Sequence, residues 1–228
     1  MSESNRKLFH FCNAFVSAEI ILWIIIQTSL NSLAIQYFSV ILAFLFCFLF
    51  ASRSKSYVFT QLALLCTVIA DYFLVWRNLD NKLLAMLLFA AAQIFYFLRI
   101  ATEETNYSIL KWHLIARITV TVLVLAATVC VLGENVDALA LVSLFYYANL
   151  FMNLIFSIAS TRKSVLLIVG FACFMACDTF VGLGNIGPYL NVSTANLSLG
   201  FDPVWFFYVP SQTFLAISLL PNKKEKRV

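Results

Sequence analysis

Charge is what this chain has least of. Asp, Glu, Lys and Arg make up 11% of its 228 residues, where a soluble domain carries about 25%. No polar stretch is longer than a loop or tail, so a separate soluble domain is excluded. Histidine is equally scarce. His10 and His113 are the only two, both near the borders of apolar runs, and a His-rich zinc hydrolase site is not expected from them. There is no P-loop, no GxSxG elbow and no HExxH helix. The six cysteines (Cys12, Cys47, Cys66, Cys130, Cys173 and Cys177) fall inside apolar runs. They read as small buried hydrophobes and not as a disulfide framework. Cys173 and Cys177 stand one turn apart beside Asp178, but the ligand set for a metal is incomplete. Gly and Pro hardly interrupt the apolar runs; Pro210 is the exception.

What fills the space is hydrocarbon. Hydrophobic residues make up 62% of the chain, against about 45–50% in a soluble protein, and the mean hydropathy is +0.91. These values predict an all-α polytopic membrane protein, 1–228 forming one transmembrane domain. Polar punctuation divides it into eight spans: 9–30, 33–51, 58–76, 83–101, 114–132, 138–160, 165–184 and 203–220. The first apolar run exceeds a signal-peptide core and lacks a small-x-small cleavage site, so it reads as a retained span. An even number of spans puts both termini on one side. With that side cytoplasmic, Arg6, Lys7, Arg53, Lys55, Arg99, Lys111, Arg117, Arg162, Lys163, Lys223, Lys224, Lys226 and Arg227 lie inside. Only Arg77 and Lys82 lie outside. The fifteen basic residues thus divide thirteen to two, as the positive-inside bias predicts. The net charge of +4 reports topology and contact with anionic membrane lipids. Nucleic acid is not an expected partner. The setting is the cell membrane in a bacterium or an internal membrane in a eukaryote.

Against this background an aspartate inside a span needs a reason. On an insertion scale it costs about 2.5–3.5 kcal/mol at mid-helix, where a Leu or Phe returns only about 0.3–0.6. Two such residues occur, in matching contexts: "VIADYFLVW" holds Asp71 and "FMACDTFVGL" holds Asp178. Each is followed after one residue by Phe, and each lies 13 residues after the start of its predicted span. The next spans also match. "AAAQIFYFL" holds Gln93 and "VPSQTFLAI" holds Gln212, each with Phe two residues on. A duplicated four-helix unit, 1–105 and 106–228, accounts for this. With four spans per unit, the halves share one orientation about an axis along the membrane normal. Asp71 and Asp178 then share one depth and can face one central polar pocket. Gln93, Tyr96, Tyr146, Asn149, Tyr208 and Gln212 are the expected substrate-binding neighbours, since polar residues in spans face the bundle interior.

Plainer readings stand beside this one. An intramembrane Asp or Gln can be interhelical glue. Glu19, a third acid in "AFVSAEIILW", can be structural, can pair with Gln27, or can join the pocket. The "KKEKR" tail reads as a topology and lipid-surface signal. Asn191 and Asn196 match the N-glycosylation pattern on the predicted outside.

In that order and spacing, "VIADYFLVW", "LLFAAAQIFYFL", "GFACFMACDTFVGL" and "FFYVPSQTFLAISL" resemble the YhhN-like lysoplasmalogenase family. The resemblance covers most of the chain and implies eight spans. It implies hydrolysis of the vinyl ether bond of a lysoplasmalogen, a lysophospholipid, to a fatty aldehyde and glycerophosphoethanolamine or glycerophosphocholine. The two family aspartates correspond by position to Asp71 and Asp178, which makes these the expected catalytic residues, and the final family Gln corresponds to Gln212. Ala70 stands where Gly is usual, Cys177 where Ser is usual, and Gln93 where His is common. Span two has no Lys; Gln36 and Tyr37 are its nearest polar groups. The chemistry needs one protonated and one ionised carboxyl, which two acids sharing a low-dielectric pocket can supply, and no metal or organic cofactor. The rival reading of the same acids is a proton-coupled small-molecule or lipid transporter.

Overall fold

The computed structural model describes residues 3–28, 30, 32–49, 54–76, 81–185 and 201–220. Arg53, Arg77, Lys223, Lys224, Lys226, Arg227 and the patterns at Asn191 and Asn196 lie outside the described residues. The described chain is all-helical: α1 Glu3–Ile26, α2 Leu33–Leu49, α3 Lys55–Asp71, α4 Lys82–Glu103, α5 Tyr107–Leu132, α6 Ala138–Ala159, α7 Val165–Asn185 and α8 Pro203–Ile217. Each overlaps one predicted span. Among the described residues, six stretches are long and apolar enough to cross a membrane: Leu8–Ile26, Lys55–Trp76, Lys82–Glu103, Tyr107–Asn135, Ala138–Ala159 and Val165–Asn185. The other two helices are shorter, α2 with 17 residues and α8 with 15. At 1.5 Å per residue they are about 4–8 Å shorter than a hydrocarbon core of about 30 Å.

Local chemistry sets the helix ends. Asn106 starts α5 by accepting from the backbone N–H of Ser108 at 2.9 Å and Ile109 at 3.4 Å, so the helix begins seven residues before the predicted span. Asp137 caps α6 through the Ala140 N–H at 2.7 Å. Asp202 caps α8 through Val204 and Trp205, with Pro203 at the first helical position, where its missing N–H costs nothing. Gly133 ends α5 at φ 53°, a backbone few other residues adopt readily.

Pro210 lies inside α8 and cannot donate to the carbonyl of Phe206 four residues back. The Trp23 indole N–H of α1 donates to that carbonyl at 2.9 Å. A helix-breaking residue thereby becomes an attachment point for α1. Gln27 continues the seam by accepting from the Asp202 N–H at 3.0 Å. Gln27 is therefore not the partner of Glu19, whose Oε2 instead accepts from Ser39 Oγ at 2.6 Å.

Helices α7 and α8 pack against each other extensively, and Gly170 lets them. A Cβ there would lie 2.9 Å from Leu215 Cγ and 3.2 Å from the Leu215 backbone N. Gly170→Val is expected to destabilise the fold by about 1–3 kcal/mol through overpacking. The check is a lower detergent melting temperature than that of the same change at Gly182, where a Cβ meets nothing within 4 Å.

Glu104 ties two loops together. Its carboxylate accepts from the Asn106 N–H at 2.7 Å, the Thr161 N–H at 2.9 Å and Thr161 Oγ1 at 2.7 Å. Burial pushes this carboxyl up, but those hydrogen bonds outweigh it and bring it from 4.5 to about 2. A depressed carboxyl stabilises the fold fully above its unfolded value and loses that contribution as pH falls through the folded one. Glu104→Gln is therefore expected to melt lower than wild type at pH 7. Melting curves taken downward from pH 4.5 should show the gap closing towards pH 2.

Two features differ from expectation. Arg99 and Arg117 are not loop charges: both are buried in helices, 2% and 8% exposed. Arg99 donates to Ser218 Oγ at 2.7 Å and to the Ser218 carbonyl at 3.1 Å. It thus closes the C-terminal end of α8. Of the cysteines, only Cys47 and Cys177 are buried, and Cys130 is exposed on α5.

Candidate active site

Asp71 is the last residue of α3, where the helix widens into a π-helical turn, Tyr72–Trp76. Such turns are rare and are frequent at functional sites. The side chain is 3% exposed, and its Oδ2 accepts from the Tyr208 hydroxyl of α8 at 2.5 Å. Asp178 of α7 is half-buried, and its Oδ2 accepts from the Tyr146 hydroxyl of α6. Phe174 packs between the two phenols, its ring centre 6.4 Å from that of Tyr146 and 5.7 Å from that of Tyr208. Phe89 closes the group at 5.5 Å from Tyr146. Two carboxyls, each oriented by a phenol, thus share one apolar, aromatic region.

The other four predicted neighbours are placed differently. Tyr96 is fully buried against Phe171, ring centres 5.3 Å apart. Gln212 Nε2 donates to Ser211 Oγ at 3.2 Å. Gln93 and Asn149 hydrogen-bond into a separate cluster centred on Arg117. Gln93 Oε1 accepts from Asn153 Nδ2 at 2.9 Å, and Asn149 Oδ1 accepts from Arg117 Nη1 at 2.7 Å. Gln93 Nε2, Tyr96 Oη and Gln212 Oε1 are buried with no hydrogen-bond partner among the described residues. Buried polar atoms in that condition are costly unless a polar group of substrate or water meets them.

Sequence reasoning missed His113, Arg117 and Asn153. Arg117 fell within a predicted span yet was counted with the topology charges. Tyr146, Asn149 and Asn153, at spacings of three and four, form one polar stripe on α6. That spacing was the available signal for Asn153. A cavity of about 80 Å³ lies elsewhere, at the end of the bundle where α8 finishes, lined by Phe46, Cys47, Tyr57 and Leu219 among others. None of the predicted site residues lines it.

Fold and site together define an integral, multi-pass, all-helical membrane protein with acids inside its helical bundle. The model of the YhhN family matches residues 31–219, and the chain belongs to that family. No curated protein and no solved structure matches it.

Proposed function

We propose that this protein hydrolyses the vinyl ether bond of lysoplasmalogens, releasing a fatty aldehyde and glycerophosphoethanolamine or glycerophosphocholine. Membership of the YhhN family supports a lysoplasmalogenase-type activity. The observation that carries the reading in this chain is the pairing of Asp71 with Tyr208 and of Asp178 with Tyr146. One carboxylic acid protonates the alkene carbon remote from the ether oxygen. The resulting oxocarbenium ion is stabilised by the other, ionised carboxyl, which also accepts a proton from the attacking water. The hemiacetal so formed collapses to aldehyde and alcohol. Each phenol holds one carboxyl oxygen and leaves the other for the reacting groups. Tyr96, Tyr146, Tyr208, Gln93, Asn149 and Gln212 are the proposed substrate-binding residues.

We further infer eight membrane crossings with both termini cytoplasmic, built from two halves. α2 packs on α3 and α6 on α7, while α3 packs most closely on α4 and α7 on α8. These pairings are alike in the two halves, which supports a duplicated unit. The test is aldehyde release from a lysoplasmalogen by the purified protein. No release from choline or ethanolamine substrates, together with proton-dependent flux in liposomes, would favour a transporter.

A further inference from the structure

A guanidinium sits inside the helical bundle, held by two asparagines and a histidine. Arg117 lies on α5 within the Tyr107–Asn135 stretch, 8% exposed. Its Nη1 donates to Asn149 Oδ1 at 2.7 Å and its Nη2 to Asn153 Oδ1 at 2.5 Å. His113 Nε2 lies 3.4 Å from Nε and 3.2 Å from Nη2. The Phe97 ring supports the fork, its centre 4.4 Å from Cζ. Among the described residues no carboxylate comes within ion-pair distance of Arg117, whereas Arg99 has Glu103 at 3.9 Å.

Interhelical glue needs no charge, because Asn and Gln do that work at lower cost. A permanent cation in a membrane span is expensive and marks a function by default. The planar guanidinium fork suits a phosphate. Of its five N–H groups, one on Nη1 is left over after the contacts above. A second donor is at hand. Asn153 Nδ2 donates to both the backbone carbonyl and Oε1 of Gln93, at 2.8 and 2.9 Å. This ties Gln93 to the cluster, and Gln93 Nε2 is buried without a partner among the described residues.

The cluster is linked to the Asp178 carboxyl through α6. Asn149, which holds Arg117, follows Tyr146, which holds Asp178, by three residues on α6. Residues so spaced share a helix face. The two holding residues are offset along α6 by about one helical turn, roughly 5 Å.

We propose that Arg117, with Gln93, forms the subsite for the phosphate of the lysolipid headgroup, Arg117 and Asp178 being held by Asn149 and Tyr146, one helical turn apart on α6. The identity of the ligand rests on the hydrolase reading above; the test does not use turnover. The probes are a saturated 1-O-alkyl-glycerophosphoethanolamine, which has no vinyl ether to cleave, and the 1-O-alkylglycerol of the same chain length. Binding to the purified full-length protein is measured in one detergent. Wild type is expected to bind the phosphate-bearing probe about tenfold or more tightly than the alkylglycerol. Arg117→Gln should abolish that preference while binding the alkylglycerol within about twofold of wild type, the loss of one charged partner being specific to the anion. Arg117→Lys, which keeps the charge and loses the fork, and Gln93→Met should each retain part of the preference. Equal binding of both probes by wild type overturns the proposal whatever the variants do. So does a preference that survives in folded Arg117→Gln, or a loss that falls equally on both probes. A wild type that prefers the phosphate probe but releases no aldehyde would leave the subsite standing and remove the hydrolase reading instead.

Discussion

Asp71→Asn and Asp178→Asn are each expected to lower aldehyde release by about 10²–10⁴-fold, the usual contribution of a general acid or base. The substitution isolates the chemistry. Asn is nearly isosteric with Asp, and its Oδ1 can still accept from the phenol that now holds the carboxyl, Tyr208 in one case and Tyr146 in the other. What is lost is the ability to carry a proton to carbon or to bear a negative charge beside the oxocarbenium ion. Because the two acids act as a unit, the double variant should be little worse than the poorer single variant. Stability should move little, so melting temperature separates loss of chemistry from loss of fold. Turnover within a few-fold of wild type in a well-folded Asp71→Asn would leave Asp71 as interhelical glue, and the same holds for Asp178.

The largest expected effect on stability lies outside the carboxyl pair. Asn153 is fully buried and makes three hydrogen bonds: from Arg117 Nη2 at 2.5 Å, and to the carbonyl and Oε1 of Gln93 at 2.8 and 2.9 Å. Asn153→Leu should destabilise the protein by about 2–4 kcal/mol. A hydrogen bond to a charged group contributes about 1.5–3 kcal/mol, and the orphaned partners add their own desolvation cost. Adding Arg117→Met to Asn153→Leu should recover part of the loss, because a buried charge without partners costs more than an apolar replacement. A double-mutant cycle on thermal melts measures the coupling. An additive result would mean that Asn153 and Arg117 do not depend on each other.

How much of the site was legible depended on whether a residue's meaning was local. Asp71 and Asp178 stood out because a carboxyl in an apolar run is anomalous whatever surrounds it. Their tyrosines could be named as neighbours, but not as the groups that hold them. In the duplicated pattern, the counterpart of Tyr208, four residues before Gln212, is Phe89, four residues before Gln93. Phe89 has no hydroxyl, and it packs instead on Tyr146, which comes from a different helix. The repeat therefore did not predict which phenol serves Asp178. Asn149 and Gln93 were assigned to the carboxyls because they share helix faces with Tyr146 and Tyr96. The structure joins them to Arg117, which reaches α6 from α5.

The apolar runs and their punctuation were sufficient to determine the eight α-helices of the described residues, the positions of most of their ends and the anomaly of two acids inside apolar runs. These depend on composition within about 20 residues, the length a bilayer demands. Tertiary structure alone decided that Trp23 covers the carbonyl exposed by Pro210, that Arg117 is held by two asparagines, and that Asp71 meets Tyr208 across 137 residues of chain. Each of these depends on how far a helix is rotated about its axis when it packs. That rotation is set by side chains on several other helices at once, and no single stretch of sequence contains it.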